Sequence, residues 1–444
     1  MKMKMKKLIV FIVFLSLAFT IQAQTDTIPK ANEYKKRVLE NTEIDFLSSY
    51  YSQDGSNAAV TGGIGTEELT DVASTIIVSI PLNADDQLII DAGISAYTSA
   101  SSSNVNPFDG NGSANAFQAS SGASSSDVWG NFNASYSHSS DDRNKIWTGK
   151  FSVATEYDYF SLGFGGSYTR LFNEKNTELS LHGNVYLDTW SPVYPIELRS
   201  FGGNGSGLGN SFFNHYTITG NQDYSPIFSE FTNKNRNSYS AGMSFSQILS
   251  KRAQGILMVD LVQQNGLLST PFQRVYFADI ANSYIQDFQL ADAIEQLPDT
   301  RFKIAVGARF NYYINEMFVL KTFYRYYVDD WGVASHTATV ELPVKISDKF
   351  TIYPSYRYYN QTAADYFASY EQHLSTNDFY TSDYDLSEFN ASQIGFGLSY
   401  TDIFTKFRVW KLRLKSIDLK YSYYERNTGF NANIISGGFN FIVN

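Results

Sequence analysis

The 444-residue sequence contains no cysteine, 10 prolines and 5 histidines. Without cysteine there is no disulfide framework, no thiol nucleophile and no thiolate metal ligand. A lipid-modified N-terminal cysteine is excluded for the same reason. The histidines stand at 138, 182, 215, 336 and 373, and none falls in HxxxH or HExxH spacing, so little is offered to a metal or nucleophilic centre. Past residue 23 there is no run of about eighteen apolar residues, so the sequence predicts no transmembrane helix. A chain of this kind enters a membrane only as a closed barrel. Positive charge is also scarce, with 34 Lys+Arg against 44 Asp+Glu. Loss of Lys2, Lys4, Lys6 and Lys7 with the leader described next leaves 30 against 44, a net charge of −14. An acidic exported chain is a poor binder of nucleic acid.

What the sequence does have is aromatic side chains, 32 Tyr and 34 Phe, within a composition that is 43% hydrophobic. Mean hydropathy is nonetheless slightly negative, because the apolar residues are diluted by Ser, Asn, Gly and Thr. That dilution excludes a helical membrane bundle. The N-terminus, "MKMKMKKLIVFIVFLSLAFTIQAQ", carries lysines, an apolar run and a small-residue site ending at Ala23. It reads as a secretory signal peptide cleaved after Ala23. Residues 24–40 are then expected as a periplasmic segment and 41–444 as a single barrel.

The dominant pattern is alternation. In "RFKIAVGARFNYYI", Phe302, Ile304, Val306, Ala308 and Phe310 occupy one face, and Arg301, Lys303 and Arg309 the other. Period two over a dozen residues means a strand with one apolar and one wet face. The pattern recurs in "QLIIDAGISAY", "ELSLHGNVYLDTW" and "FVLKTFYRYYVDD". About sixteen such strands are predicted, at about 42–52, 72–82, 87–101, 124–139, 145–155, 158–172, 177–188, 237–249, 254–268, 300–313, 317–329, 335–346, 350–361, 388–401, 411–426 and 431–443.

The connections are sorted by length. Even-to-odd joints are "NADD", "DDRN", "NEKN", "SKRA", "NEM", "SDK" and the longer "DIFTKFRVW", while odd-to-even joints include the long segments 53–71, 102–123, 189–236, 269–299 and 362–387. Short turns at one end, long loops at the other and both termini at the short end make an all-β, up-and-down transmembrane barrel of about sixteen antiparallel strands. A soluble sandwich has no reason to sort its loops. Tyr50, Tyr51, Trp147, Tyr168, Trp190, Tyr326, Trp331, Tyr356, Tyr358, Trp410 and Tyr423 lie near strand ends, as aromatic girdles require. Lys411, Arg413 and Lys415 are polar at odd positions but Asp418, Lys420 and Ser422 at even ones, which predicts a bulge near Ser416.

The stretch "SQDGSNAAVTGGIGTEELTD" from Ser52 suggests an anion cradle or a cation loop. It lacks the Lys-Ser/Thr pair and the following helix of a P-loop, so the phosphate reading fails. Calcium held by Asp54 and Asn57, with Asp109 from the next long loop, is one expectation. Glycine and Asn/Asp supplying left-handed turns in a solvated loop is the other.

On the wet face Arg301, Lys303, Arg309, Lys321, Arg325, Lys345 and Arg357 come from four consecutive strands and should form one basic wall. Interior acids, Glu43, Asp45, Asp91, Glu178, Asp188 and Asp260, come from other strands. Either the two sets face each other across water, or they pair and close the interior.

The segments "SSYYSQDGSNAAVTGGIGTEELTD", "DAGISAYTSASSSN", "SYSHSSDDRN" and "FGGSYTRLFNEKNTELSLHGNVYLDTWSPVYP" resemble signature blocks of the domain of unknown function 3570 family, across essentially the whole mature chain. The resemblance implies an outer-membrane barrel and carries no catalytic motif. It also hints at work linked to redox or cofactor maturation. Two functions follow as expectations, neither enzymatic and neither needing a cofactor beyond the calcium above. One is a channel or transporter for small polar solutes. The other is a plugged scaffold whose loops or N-terminal segment engage an envelope partner. In both the chain sits among the lipids of the Gram-negative outer membrane.

Overall fold

A computed structural model describes residues 37–98 and 126–443. The leader, its cleavage point, residues 24–36 and the whole loop 102–123 lie outside the described residues.

Among the described residues sixteen long strands run in chain order: β1 Thr42–Asp54, β2 Leu69–Pro81, β3 Asp86–Thr98, β4 Ser126–Ser139, β5 Lys145–Thr155, β6 Tyr159–Phe172, β7 Thr177–Trp190 and β8 Asn235–Ser250 form the first half. The second half is β9 Ala253–Gly266, β10 Thr300–Tyr313, β11 Val319–Asp329, β12 Ala334–Glu341, β13 Phe350–Gln361, β14 Phe389–Thr401, β15 Leu412–Arg426 and β16 Asn431–Val443. Each pairs antiparallel with its sequence neighbour. β1 pairs with β16 from Thr42↔Val443 to Asp54↔Asn431, which closes the barrel and removes both sheet edges.

The alternation fixes which face is which. Leu257 is 61% and Ile394 64% exposed, whereas Ala305, on the wet face of β10, is 5% exposed. Apolar side chains therefore point outward around the wall. Such a continuous apolar belt belongs in lipid, because in water it would be an aggregating surface. The protein is a transmembrane barrel. At the short-turn end Trp147 packs on Tyr168, ring centroids 4.1 Å apart, both facing out as an interfacial girdle requires.

Three of the expected girdle residues do otherwise. Tyr51 faces the lumen, where its hydroxyl donates to Gln53 at 2.8 Å. Trp190 donates its indole N–H to Asp158 and packs edge-on against Phe272 of a long loop. Trp331 is buried at 3% exposure. Strand-end position alone does not tell an outward ring from one that turns in to cover the mouth.

The register of β15 against β16 shifts between Leu414 and Ser416, where the change of polar parity places the bulge. The bulge keeps Lys415 and then Asp418 and Lys420 on one side. β12 ends at Glu341 and a short strand Val344–Lys345 follows; between them Leu342 still donates to Pro354 O, while Pro343 has no N–H to give the ladder. Val38, ahead of β1, donates to Ala84 O in the turn between β2 and β3, so the approach to β1 lies at the short-turn end.

The absence of native cysteine makes sidedness directly measurable. With the long loops outside the cell, Thr376→Cys in the β13–β14 loop should react with a membrane-impermeant maleimide on intact cells. Lys251→Cys, in the β8–β9 turn, should react only after the membrane is permeabilised. The reverse pattern would invert the barrel.

Candidate functional site

The strand register brings the predicted wet residues onto the concave face. Asp45, Thr75, Tyr353, Asp418, Lys420 and Asn440, from five strands, line one cavity of about 520 Å³, which only the inner surface of a barrel allows. From β9 to β13 the inner rungs read Gln264↔Arg301, Ile256↔Arg309, Gly307↔Arg325↔Thr337 and Thr339↔Arg357.

Within this basic sector the charges fall into two groups. Arg301 pairs with Asp329 at 2.5 Å and stacks over Trp331 at 4.2 Å, with Lys303 directly opposite Asp329. Lys321 pairs with Glu341 at 3.0 Å, and Lys345 pairs with Asp348 in the adjoining turn at 3.0 Å. Arg309, Arg325 and Arg357 are exposed to the lumen. Among the described residues none of the three has a carboxylate within ion-pairing distance. Of the expected wall, three guanidinium groups stay open, and Lys303 joins no ion pair among the described residues.

The interior acids each have a partner. Glu43 is paired by Lys415 at 2.9 Å, Asp45 by the Asn440 amide and Asp91 by Asn131 at 3.5 Å. Glu178 accepts from Ser180 at 3.4 Å, Asp188 from Tyr159 at 2.6 Å, and Asp260 lies 3.1 Å from His182. Lys415 and Arg426 of β15 were not among the candidates, although their alternation on that strand carried the signal.

Above this sector, parts of four long-end connections fold into a cap: 55–68, 191–234, 267–299 and 362–388. Leu198, Tyr224, Ile285, Leu290 and Ile294 form its buried centre, ringed by Tyr194, Phe201, Phe228 and Phe288. Full burial stabilises each large aliphatic by roughly 1.5–3 kcal/mol, enough together to hold loops whose regular structure is confined to two small sheets and single helical turns. At the centre, Arg274 and Glu197 are both fully buried and joined by two bonds, Nε to Oε1 at 2.6 Å and Nη2 to Oε2 at 3.2 Å. Arg274 Nη1 also donates to Val60 O at 3.2 Å, tying in the β1–β2 loop. The cap bears on the inner wall: Gln361 of β13 donates to Asp385 O and Ser387 O, and Arg426 of β15 to Asp385 Oδ1 at 2.6 Å.

The glycines of the β1–β2 loop serve this packing. Gly62 and Gly63 have φ of 77° and 90°, conformations that a side chain resists. A Cβ on Gly62 would come within 2.6 Å of the Tyr276 ring. Asn57 donates to Thr428 O, and Asp54 Oδ1 accepts from Gly55 N. Asp109, the third calcium candidate, lies outside the described residues, and among those described no three acidic or histidine side chains gather into a metal cluster.

Glu295 in the cap accepts from Thr270 N at 2.6 Å and from the Thr381 hydroxyl. Burial, with Asp383 nearby adding negative charge, pushes its carboxyl up to about 8 from 4.5. A carboxyl with a raised folded pKa stabilises fully below its unfolded value and loses that contribution as pH rises through the folded one. The cap should therefore resist limited proteolysis better at pH 5 than at pH 8, and Glu295→Gln should flatten the difference. An equal slope in that variant would place the dependence elsewhere.

A family model described as "Protein of unknown function (DUF3570)" matches residues 14–434. The chain belongs to that family. No curated protein sequence matches it. Among solved structures it is similar to a bacterial polysaccharide outer membrane secretin, at 9% identity and a TM-score of 0.44, covering 93% of this chain and 100% of the other. It is similar to OccK2 (OpdF) of Pseudomonas aeruginosa in complex with glucuronate, at 8% identity, TM-score 0.39 and 92% and 98% coverage. It is also similar to a BenF-like porin of Pseudomonas fluorescens Pf-5, at 8% identity, TM-score 0.40 and 91% and 98% coverage. The barrel itself rests on the closed ladder and outward apolar belt of this family member.

Proposed function

We propose that this DUF3570 protein is an outer-membrane channel for small polar solutes, with anions preferred and its long-loop mouth governed by the folded cap. The observation that carries the reading is the trio Arg309, Arg325 and Arg357, solvent-exposed on the inner wall and without carboxylate partners among the described residues. In a sealed interior three such charges would be strongly unfavourable, because unpaired charge removed from water is costly. In a hydrated lumen they cost little and raise the local concentration of anions. The reading involves passage without catalysis.

The cap's closed core, with its fully buried ion pair, favours the second reading, a plugged scaffold that holds an envelope partner. Liposome swelling separates the two. Vesicles containing the protein should admit small organic anions faster than cations of equal size. Vesicles that remain osmotically tight to both would leave the scaffold standing.

A further inference from the structure

Directly beneath the cap lies a cavity of about 340 Å³. Its floor is one rung of the inner wall: Arg357 of β13 is paired in register with Gln393 of β14, and Gln393 with Tyr424 of β15. Neighbouring strands lie about 4.8 Å apart, so three side chains of donor character stand in a row about 10 Å long. Among the described residues the Arg357 and Gln393 side chains make no hydrogen bond or ion pair. Tyr424 accepts from Arg426 Nε at 2.9 Å, which leaves its own hydroxyl proton to be donated elsewhere.

The roof is Asp385. Its carboxylate takes Arg426 Nη1 at 2.6 Å, and the two ends of this contact differ. Arg426 is fixed, stacked 4.5 Å from the Phe389 ring and 4.4 Å from that of Phe430, with its side chain 14% exposed. The Asp385 side chain is 70% exposed. The backbone around Asp385 is held independently, by Gln361 on the carbonyls of Asp385 and Ser387. The carboxylate can therefore leave Arg426 without unfolding the segment that carries it.

We infer that this cavity binds a small organic carboxylate through Arg357, Gln393 and Tyr424, and that Asp385 is the internal carboxylate which the solute displaces from Arg426. Planar guanidinium and carboxylate groups match in geometry, and Asp385 already shows Arg426 engaged by that group. Displacement of Asp385 would free the cap from the β15 wall when solute is present, which couples occupancy to opening. The inference names the solute class of the channel proposed above and rests on that reading for the opening step.

The test is calorimetric titration of the full-length protein in detergent micelles with succinate, and separately with inorganic phosphate. Heat-modifiable gel migration confirms that each variant keeps its barrel. Succinate should bind the wild type, Arg357→Gln should weaken it about ten- to hundredfold, and Arg357→Lys should restore part of the loss. Asp385→Asn should tighten binding several-fold, because the internal competitor is gone. A merely structural role for Asp385 would loosen the cap without tightening succinate. Unchanged affinity in Arg357→Gln, no gain in Asp385→Asn, or phosphate bound as tightly as succinate would each overturn the assignment. Binding in micelles requires no conduction. Conduction without succinate binding defeats this site alone, and binding without conduction defeats the channel alone.

Discussion

Replacing Glu197 with Ala should open the cap while leaving the barrel folded. In the native protein the carboxylate meets Arg274 through two hydrogen bonds, both side chains fully buried. Removing one partner of a buried pair costs about 3–5 kcal/mol, because the remaining charge stays out of water without its counter-ion. Each 1.4 kcal/mol is about a factor of ten, so the population of opened cap should rise by about two to three and a half orders of magnitude. Chymotrypsin, which cuts after the aromatic residues of 191–234 and 267–299 and leaves the Met double variant as cleavable as the wild type, should then cut within both loops at rates that the native protein does not allow. The sixteen-stranded ladder does not contain this pair, so heat-modifiable migration should be unchanged. Replacing both residues with Met removes the uncompensated charge and should return most of the protection. A double variant as open as the single one would show that the pair acts through shape alone.

Replacing Arg309, Arg325 and Arg357 together with Ser should turn the lumen toward cations. The three groups are exposed on the inner wall without ion-pair partners among the described residues, whereas Arg301, Lys321 and Lys345 are already paired. Once they are gone, Asp45, Asp91 and Glu178 remain, held by neutral partners. Charge on a channel wall sets the local ion concentration, so the anion-to-cation permeability ratio should fall by about tenfold or more. The reversal potential in a salt gradient reads this directly. An unchanged ratio would mean that ions do not pass this wall. Arg301→Gln serves as a contrast: it leaves Asp329 without its cation and should disturb the 330–333 turn, whose Trp331 and Val333 N–H groups bond to Asp329.

The strands were legible because their physics is local. Period two, turn residues and loop sorting survive in any short window, and the bulge near Ser416 announced itself as a change of polar parity within β15. The inward orientation of Arg309 or Arg357 followed from the same alternation. Their state of pairing did not, because it depends on register: Lys321 meets Glu341 only because β11 and β12 align those two residues. The cap was illegible for a different reason. Its core residues Leu198, Tyr224, Ile285 and Leu290 come from long connections with no periodicity, and Glu197 and Arg274 find each other across most of one loop, two strands and the start of the next loop. The glycines of the β1–β2 loop raised the right question. Their answer, close approach to Tyr276, lay in another loop. Asp385 against Arg426 likewise joins a long connection to a strand end, which no spacing rule anticipates.

In the proposed channel the lumen is an aqueous path biased toward anions by Arg309, Arg325 and Arg357 and governed by the cap. Single-channel recording in planar bilayers under an asymmetric salt gradient tests it most directly. The wild-type protein should give discrete current steps with an anion-selective reversal potential, and Glu197→Ala should raise the open probability. Bilayers that stay silent with both proteins would rule out an aqueous path through the barrel.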